Sequence, residues 1–265
     1  MILRSLMKHV RDQNWFAVGL DFLIVVVGVF IGIQVANWNE SRHEADRARG
    51  YLERIHTDLA TDLVELDRRR AFWTRVTAYG HGAIAYAESG KLVEDSAWKT
   101  LLAFYQASQL YPFVPSDTTY QEMRSAGELG LLRDQAIREA LASYYVVGAG
   151  YAANWLFRTE PEYRRLVRGL TPVIASRQVW AECHRSFSAA SQAGRKAGGQ
   201  ALRDCDSPMT EAEAQAVLDG YLADPHLLTE LRFWITNLEV MTGLISEHET
   251  HARTLSQRVN GAIQP

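Results

Sequence analysis

The sequence has no surplus of basic charge. Its 28 Lys and Arg are outnumbered by 31 Asp and Glu, for a formal net charge of −3. Binding to nucleic acid requires a concentrated basic face that neutralises phosphates, so we expect no nucleic-acid partner. The densest basic run, residues 68–70, lies close to Asp62, Glu65 and Asp67, and we interpret it as a solvated helix face.

Cysteine is almost absent. Cys183 and Cys205 are the two in the chain, and they bracket a stretch rich in Ser, Gly and Ala. Their positions fit no metal-binding spacing. In an oxidising compartment the pair is predicted to form a disulfide that closes this loop, and the alternative is two free thiols.

Catalytic motifs are also lacking. Residues 148–153 match a loose dinucleotide-binding pattern without the strand that the pattern needs, and residues 96–99 match SxxK without its companion motifs. His248 and His251 are three apart, one residue short of the zinc-protease spacing, and we interpret them as part of a polar helix surface. We therefore predict no enzyme activity, cofactor or metal.

One long hydrophobic run is present, at residues 15–38, and Trp15 and Trp38 bracket it. In a helix these two residues stand about 34 Å apart, which matches a bilayer core and its aromatic belts. A cleaved signal peptide is the alternative, but Gln34 is a poor residue three before a cleavage site. The uncharged residues 140–157 contain Gly, Ser, Tyr and Asn, so we interpret them as a buried bundle helix, and the alternative is a second membrane span.

The flanks of the anchor predict its orientation. Residues 1–14 carry Arg4, Lys8 and Arg11 against one acid, whereas residues 39–53 are not basic overall. The positive-inside rule then keeps the N-terminal side cytoplasmic. We predict a cytoplasmic amphipathic segment at 1–14, a transmembrane helix at 15–38 and a periplasmic domain at 39–265, in a bacterial inner membrane.

One face of the anchor carries small residues and a carboxylate. Asp21, Val25, Gly28, Gly32 and Val35 follow the 4-3-4-3 spacing of a helix face, and the GxxxG pair allows close approach of a second helix. We predict that this face binds another membrane helix, from a second copy or from another inner-membrane protein. The alternative is that Asp21 only reaches the lipid interface through water or membrane thinning.

The rest of the chain is predicted to be helical. Apolar residues recur at helical spacing in two long segments, residues 45–88 and 226–263, which are long enough to run antiparallel. We expect Gly80, Gly82 and Gly90 to weaken or end the first segment. Cap signals divide the middle of the chain into shorter helices, and their residues are Ser96, Thr119 with Glu122, Gly127, Asp134, and Thr210 with Glu213.

Aromatic residues are concentrated in the middle third of the chain. We interpret them as an ordinary aromatic core, and a ligand groove is the alternative. With no strand alternation or βαβ order, the predicted fold class is all-α: an N-terminal transmembrane helix continuing into an elongated periplasmic helical bundle.

Two segments, DFLIVVVGVFIGIQVANWNE and TTYQEMRSAGELGLLRDQAIREALASYY, carry a family resemblance. They resemble a widespread group of uncharacterised bacterial single-pass membrane proteins with an N-terminal anchor and a helical soluble domain. The resemblance implies a membrane-anchored helical protein and supplies no activity. The predicted function is a membrane-anchored interaction or scaffold protein, and the alternative is an extracytoplasmic ligand-sensing domain that signals through a membrane partner.

Overall fold

The computed structural model describes residues 15–148, 160–187 and 199–264, and gives the backbone alone at 15–18, 21, 185–187 and 199–201. The chain divides into two compact units, Met1–Gly50 and Tyr51–Pro265. The described residues are predominantly helical, with a long apolar helix at the N-terminal end, which confirms the predicted all-α class. The predicted cytoplasmic segment 1–14 lies outside the described residues.

The first helix, α1, extends over Trp15–Ser89 and contributes residues to both units. Gly90, in the left-handed conformation with φ 73°, follows its end, as predicted. The predicted weakening at Gly80 and Gly82 is wrong, because α1 continues through both. A Cβ atom added at Gly80 would overlap the side chain of Ile235, so this glycine serves close helix packing.

Shorter elements follow α1. They are a 3-10 turn at Val93–Asp95, α2 at Ala97–Gln106, α3 at Thr118–Ala126, a 3-10 turn at Glu128–Leu131, and α4 at Gln135–Ala142 with a π-helical turn at Ser143–Val147. After the gap come α5 at Glu162–Leu170, α6 at Val173–Gln178 with a π-helical turn at Val179–Cys183, β1 at His184–Phe187, β2 at Gly199–Leu202, α7 at Glu211–Ala223 and α8 at Pro225–Ile263. Residues 149–157 of the predicted uncharged helix lie outside the described residues.

Most of the predicted caps are confirmed. The side chains of Ser96 and Asp134 accept hydrogen bonds from the first turns of α2 and α4, and Gly127 ends α3 in the left-handed conformation. Thr210 and Glu213 form a reciprocal capping box at the start of α7.

The predicted capping box of Thr119 and Glu122 is wrong. Asp117 is the N-cap residue of α3, and both predicted residues bind α1 instead. The Thr119 hydroxyl donates to Asp58 Oδ2 at 2.6 Å, while Arg54 donates to Glu122 at 2.7 Å. The sequence has the spacing of a capping box, but the polar groups of both residues form hydrogen bonds with side chains of α1 instead.

Within the unit Tyr51–Pro265, α8 lies antiparallel to α1. Arg232 near the start of α8 pairs with Glu88 at 2.7 Å, and Glu239 contacts His81 at 3.0 Å. Farther along, Glu249 is 3.4 Å from Arg70. Helix α8 also packs against α4, α5 and α7, and α2 packs against α5 and α7. The predicted aromatic core is confirmed for the buried Tyr105, Tyr111, Phe113, Tyr120 and Tyr144.

A short antiparallel strand pair was not predicted. His184 of β1 lies opposite Leu202 of β2, and Phe187 lies opposite Gly199. The strands occupy the two ends of the stretch that the sequence predicted as a loop between the cysteines. Residues 188–198 lie outside the described part of the chain.

Candidate interaction face and polar core

The predicted interaction face of the anchor is uncovered in the unit Met1–Gly50. Val25 and Val35 are 62% and 57% exposed, and a Cβ atom added at Gly28 or Gly32 would have no neighbour within 4 Å among the described residues. All four residues lie on α1 at the 3-4 spacing of one helix face. The backbone of Asp21 belongs to the same helix, and its side chain lies outside the described residues.

Helix α1 is long and apolar enough to cross a membrane. Its most apolar window reaches a mean hydropathy of 1.9, and none of that window is buried inside the chain. By length and composition alone, α1 therefore meets the minimum requirement for a membrane anchor.

Cys183 and Cys205 form a disulfide, with their Cα atoms 5.0 Å apart. Two side chains of α2 hold the backbone on either side of it. Gln106 Nε2 donates to the carbonyl oxygen of Cys183 at 3.2 Å, and Trp98 Nε1 donates to that of Cys205 at 2.9 Å. The base of the strand pair is therefore fixed to α2 as well as crosslinked.

A polar cluster lies between α1, the segment before α3, the π-helical turn after α4, and α8. At its centre is Asp62, which is 1% exposed. Its carboxylate accepts hydrogen bonds from the Ser116 backbone N–H at 2.8 Å and from the Tyr144 hydroxyl at 2.9 Å. Burial raises the pKa of Asp62 to about 6, although these hydrogen bonds act in the opposite direction.

His248 contacts this cluster through its ring. Its imidazole stacks on Tyr144 with ring centres 4.3 Å apart and planes 5° apart, and it contacts the ring of Phe113 at 5.4 Å. Burial lowers the pKa of His248 to about 4. Its buried Nδ1 atom has no hydrogen-bond partner among the described residues.

The predicted polar surface at His248 is therefore wrong, since this side chain is 1% exposed. His251 is only half-buried and meets the Tyr144 ring edge-on at 5.8 Å. A hydrogen bond joins Tyr144 to Asp62, whereas His248 contacts Tyr144 by ring stacking. This arrangement connects the helices by packing, and the buried Nδ1 of His248 takes part in no hydrogen bond with the described residues.

The basic run at residues 68–70 also contains a buried member. Arg69 is 8% exposed, forms an ion pair with the buried Glu65, and donates to the carbonyl oxygen of Pro112 at 3.2 Å. Its guanidinium carbon lies 3.5 Å from the ring centre of Tyr111. The predicted solvated face therefore holds for Arg70 but is wrong for Arg69.

The helical spacing of the core residues could have revealed these buried polar side chains from the sequence. Asp62 and Arg69 continue the 3-4 spacing of the buried Leu59, Leu66 and Trp73 on α1. On α8, His248 occupies the same kind of position between Ile245 and Ala252. Polar residues at positions that the period assigns to the core would have identified the cluster. Across the described residues, no group of three or more His, Cys, Asp or Glu has an arrangement suited to a metal ion.

Comparison with known proteins gives one family assignment. The model of a family of unknown function, DUF6090, matches residues 21–153. Comparison with curated proteins gives no match, and comparison with solved structures gives none. The matched half of the chain begins at Asp21 of the anchor face and includes Asp62 and Tyr144, whereas the disulfide and α8 follow it. The chain thus belongs to DUF6090, a family of unknown function.

Proposed function

We propose that the protein is a single-pass membrane protein that acts as an interaction scaffold. Its anchor face, Asp21, Val25, Gly28, Gly32 and Val35, binds a second membrane helix, and its helical domain binds a protein partner. The single observation that carries the proposal is the uncovered state of this face, where two glycines one turn apart have no neighbour in the described part of the chain. In lipid, such small residues allow backbones to approach and gain van der Waals contact.

The proposed location is a bacterial inner membrane, with residues 1–14 in the cytoplasm and the domain in the periplasm. The charge difference across the anchor supports this orientation. The disulfide between Cys183 and Cys205 supports it independently, since such bonds persist in oxidising compartments.

The proposed role is non-enzymatic and requires no cofactor. The Asp62, Tyr144 and His248 side chains are buried and pack helices together, which supports a structural role. The partner proposed for the anchor face is a second copy of this chain, or otherwise another inner-membrane protein. In a parallel homodimer two Asp21 residues would lie close together, and at least one carboxyl group would be protonated.

Co-purification tests the anchor face. Two full-length copies with different tags are co-expressed and extracted in mild detergent, and recovery of one through the other is measured. We expect the double substitution Gly28→Leu and Gly32→Leu to reduce recovery at least about tenfold, because two Leu side chains separate the backbones. Gly19→Leu is the matched control, since Gly19 is equally free of neighbours but lies on the opposite face of α1.

The outcomes separate the two partners. If the second copy is never recovered but another membrane protein is, and the double substitution removes it, the face is a heteromeric interface. Unchanged recovery in the double variant would show that Gly28 and Gly32 do not form an interface.

A ligand-sensing domain is the second candidate function. A cavity of about 240 Å³ with charged walls, bordered by Arg75 and Asp204, favours it. A sensing domain should gain thermal stability from a small ligand, whereas a scaffold gains it from its partner.

A further inference from the structure

The cavity that Arg75 and Asp204 border lies beside α1 in the unit Tyr51–Pro265. Its walls come from α1, the turn before α2, α2 itself and the segment between β2 and the disulfide. Gly82, Val93 and Ala103 give it a small apolar surface. The charged and polar lining residues are Arg75, Tyr79, Glu94, Lys99 and Asp204.

The charges in the cavity are balanced but not all paired. Lys99 and Glu94 form an ion pair with each other. Asp204 accepts a hydrogen bond from the Tyr79 hydroxyl at 2.8 Å, and within the described chain neither Asp204 nor Arg75 has an ion-pair partner. Arg75 also forms a side-chain hydrogen bond with Tyr79, so one cation and one anion border the same small cavity on either side of this tyrosine.

The turn that forms one wall has an unusual backbone. Glu94 and Asp95 have φ values of 48° and 55°, in the left-handed region that residues with a Cβ atom rarely adopt. The conformation is held by a hydrogen bond from the Val93 backbone N–H to Thr100 Oγ1 at 2.8 Å and by the Lys99–Glu94 ion pair. Backbone held in costly conformations is concentrated at ligand sites, where it fixes the position of a side chain.

We propose that this cavity binds a free α-amino acid. Arg75 would bind the carboxylate through its planar guanidinium, and Asp204 would bind the ammonium group. A ligand with a net negative charge would meet Asp204 and Glu94, and one with a net positive charge would meet Arg75 and Lys99, so a zwitterion fits the balanced walls best. The small apolar surface at Gly82, Val93 and Ala103 suits a short aliphatic side chain. This site does not depend on the anchor face.

Equilibrium dialysis of the full-length chain in detergent micelles tests the proposal, with each radiolabelled protein amino acid as the probe. We expect saturable binding of at least one, with a Kd below about 1 mM. Its N-acetyl and its carboxamide derivatives should each compete at least about tenfold more weakly, since each lacks one of the two charges. Arg75→Gln and Asp204→Asn should each raise the Kd by at least about tenfold.

Arg177→Gln and Asp219→Asn are matched controls, since both residues are exposed and lie outside the cavity. They should bind the amino acid as the unsubstituted chain does, and circular dichroism should show that all four variants are folded. The proposal is overturned if no amino acid binds saturably, if the blocked derivatives compete equally, or if Arg75→Gln and Asp204→Asn bind normally.

Discussion

Asp62 and His248 are buried ionisable side chains, and they oppose each other in their response to pH. The pKa of Asp62 is raised to about 6, so the folded chain takes up this proton more readily than the unfolded chain. Its contribution to the free energy of unfolding therefore grows as pH falls from about 6 towards 4. The pKa of His248 is lowered to about 4, so its contribution is present above about 6.5 and is lost as pH falls towards 4.

Replacing His248 with Phe should remove the acid-sensitive contribution. A phenyl ring keeps the stack on Tyr144 and leaves no unpaired nitrogen in the core. We expect His248→Phe to be more stable than the unsubstituted chain at pH 5, with an advantage about 1–2 kcal/mol larger than at pH 7. Chemical denaturation followed by circular dichroism at the two pH values measures this difference.

Asp62→Asn is the opposing control. Without the carboxyl group, the stabilising uptake of a proton near pH 6 disappears and the His248 contribution remains. The stability of this variant should fall more steeply between pH 6.5 and 4.5 than that of the unsubstituted chain. If both variants keep the original pH profile, the two groups do not have the shifted pKa values described.

Most helices could be predicted from the spacing of apolar residues, while their polar contacts could not. The buried Leu231, Ile235 and Leu238 of α8 follow the helix period closely. Asp62 and His248 occupy core positions at the same spacing on their helices. A search for apolar residues does not find them, because their burial depends on partners from distant segments. The strand pair was missed because four residues show no alternation that stands out from loop sequence.

The anchor face could be proposed from sequence because its GxxxG spacing is local, and its role as an interface stays a prediction. The disulfide could be proposed from sequence because the chain has only one cysteine pair. The charged walls of the cavity could not be predicted, because Arg75 and Asp204 are far apart in the chain and border one cavity only in the folded domain.

Where α1 contacts α8, the missing side chain of Gly80 leaves space for the side chain of Ile235. We expect Gly80→Ala to destabilise the domain by about 1–2 kcal/mol, because the added methyl overlaps Ile235 and this overlap exceeds the gain in helix propensity. In an Ile235→Ala background, Gly80→Ala should cost at least about 1 kcal/mol less, since that change removes both overlapping atoms, Cδ1 and Cγ1. Denaturant unfolding of the single and double variants gives the coupling.

Gly82→Ala is the matched control, two residues along the same helix. Its Cβ atom would meet Val93 Cγ2 at 3.4 Å, which is ordinary contact. This variant should be neutral or slightly stabilised. Equal losses at Gly80 and Gly82 would contradict the close packing assigned to Gly80.

The crosslink at the base of the strand pair should stabilise the domain. It closes a loop with a sequence separation of 22, for which the chain-entropy model gives about 3 kcal/mol. Replacing Cys183 and Cys205 together with Ala should lower the free energy of unfolding by roughly this amount, and a reducing agent should no longer affect the double variant. A reductant that leaves the melting temperature of the unsubstituted chain unchanged would contradict this contribution.

At the scale of the whole molecule, we propose that a membrane anchor precedes a helical domain with a crosslinked strand pair. The exposed apolar part of α1 supports the anchor, and the charge of residues 1–14 supports a cytoplasmic N terminus. The disulfide supports an oxidising compartment for the domain. All three lines support the proposed arrangement, in which the chain crosses the membrane once and residues 39–265 lie outside the cytoplasm.

Topology is the measurement that tests this arrangement most directly. One reporter that is active only outside the cytoplasm and a second that is active only inside are each fused to the C terminus of the full-length chain in a bacterial cell. The account predicts activity from the outside reporter and none from the inside reporter. Activity from the inside reporter alone would contradict the orientation, would place Cys183 and Cys205 in a reducing compartment, and would move the search for partners to the cytoplasm.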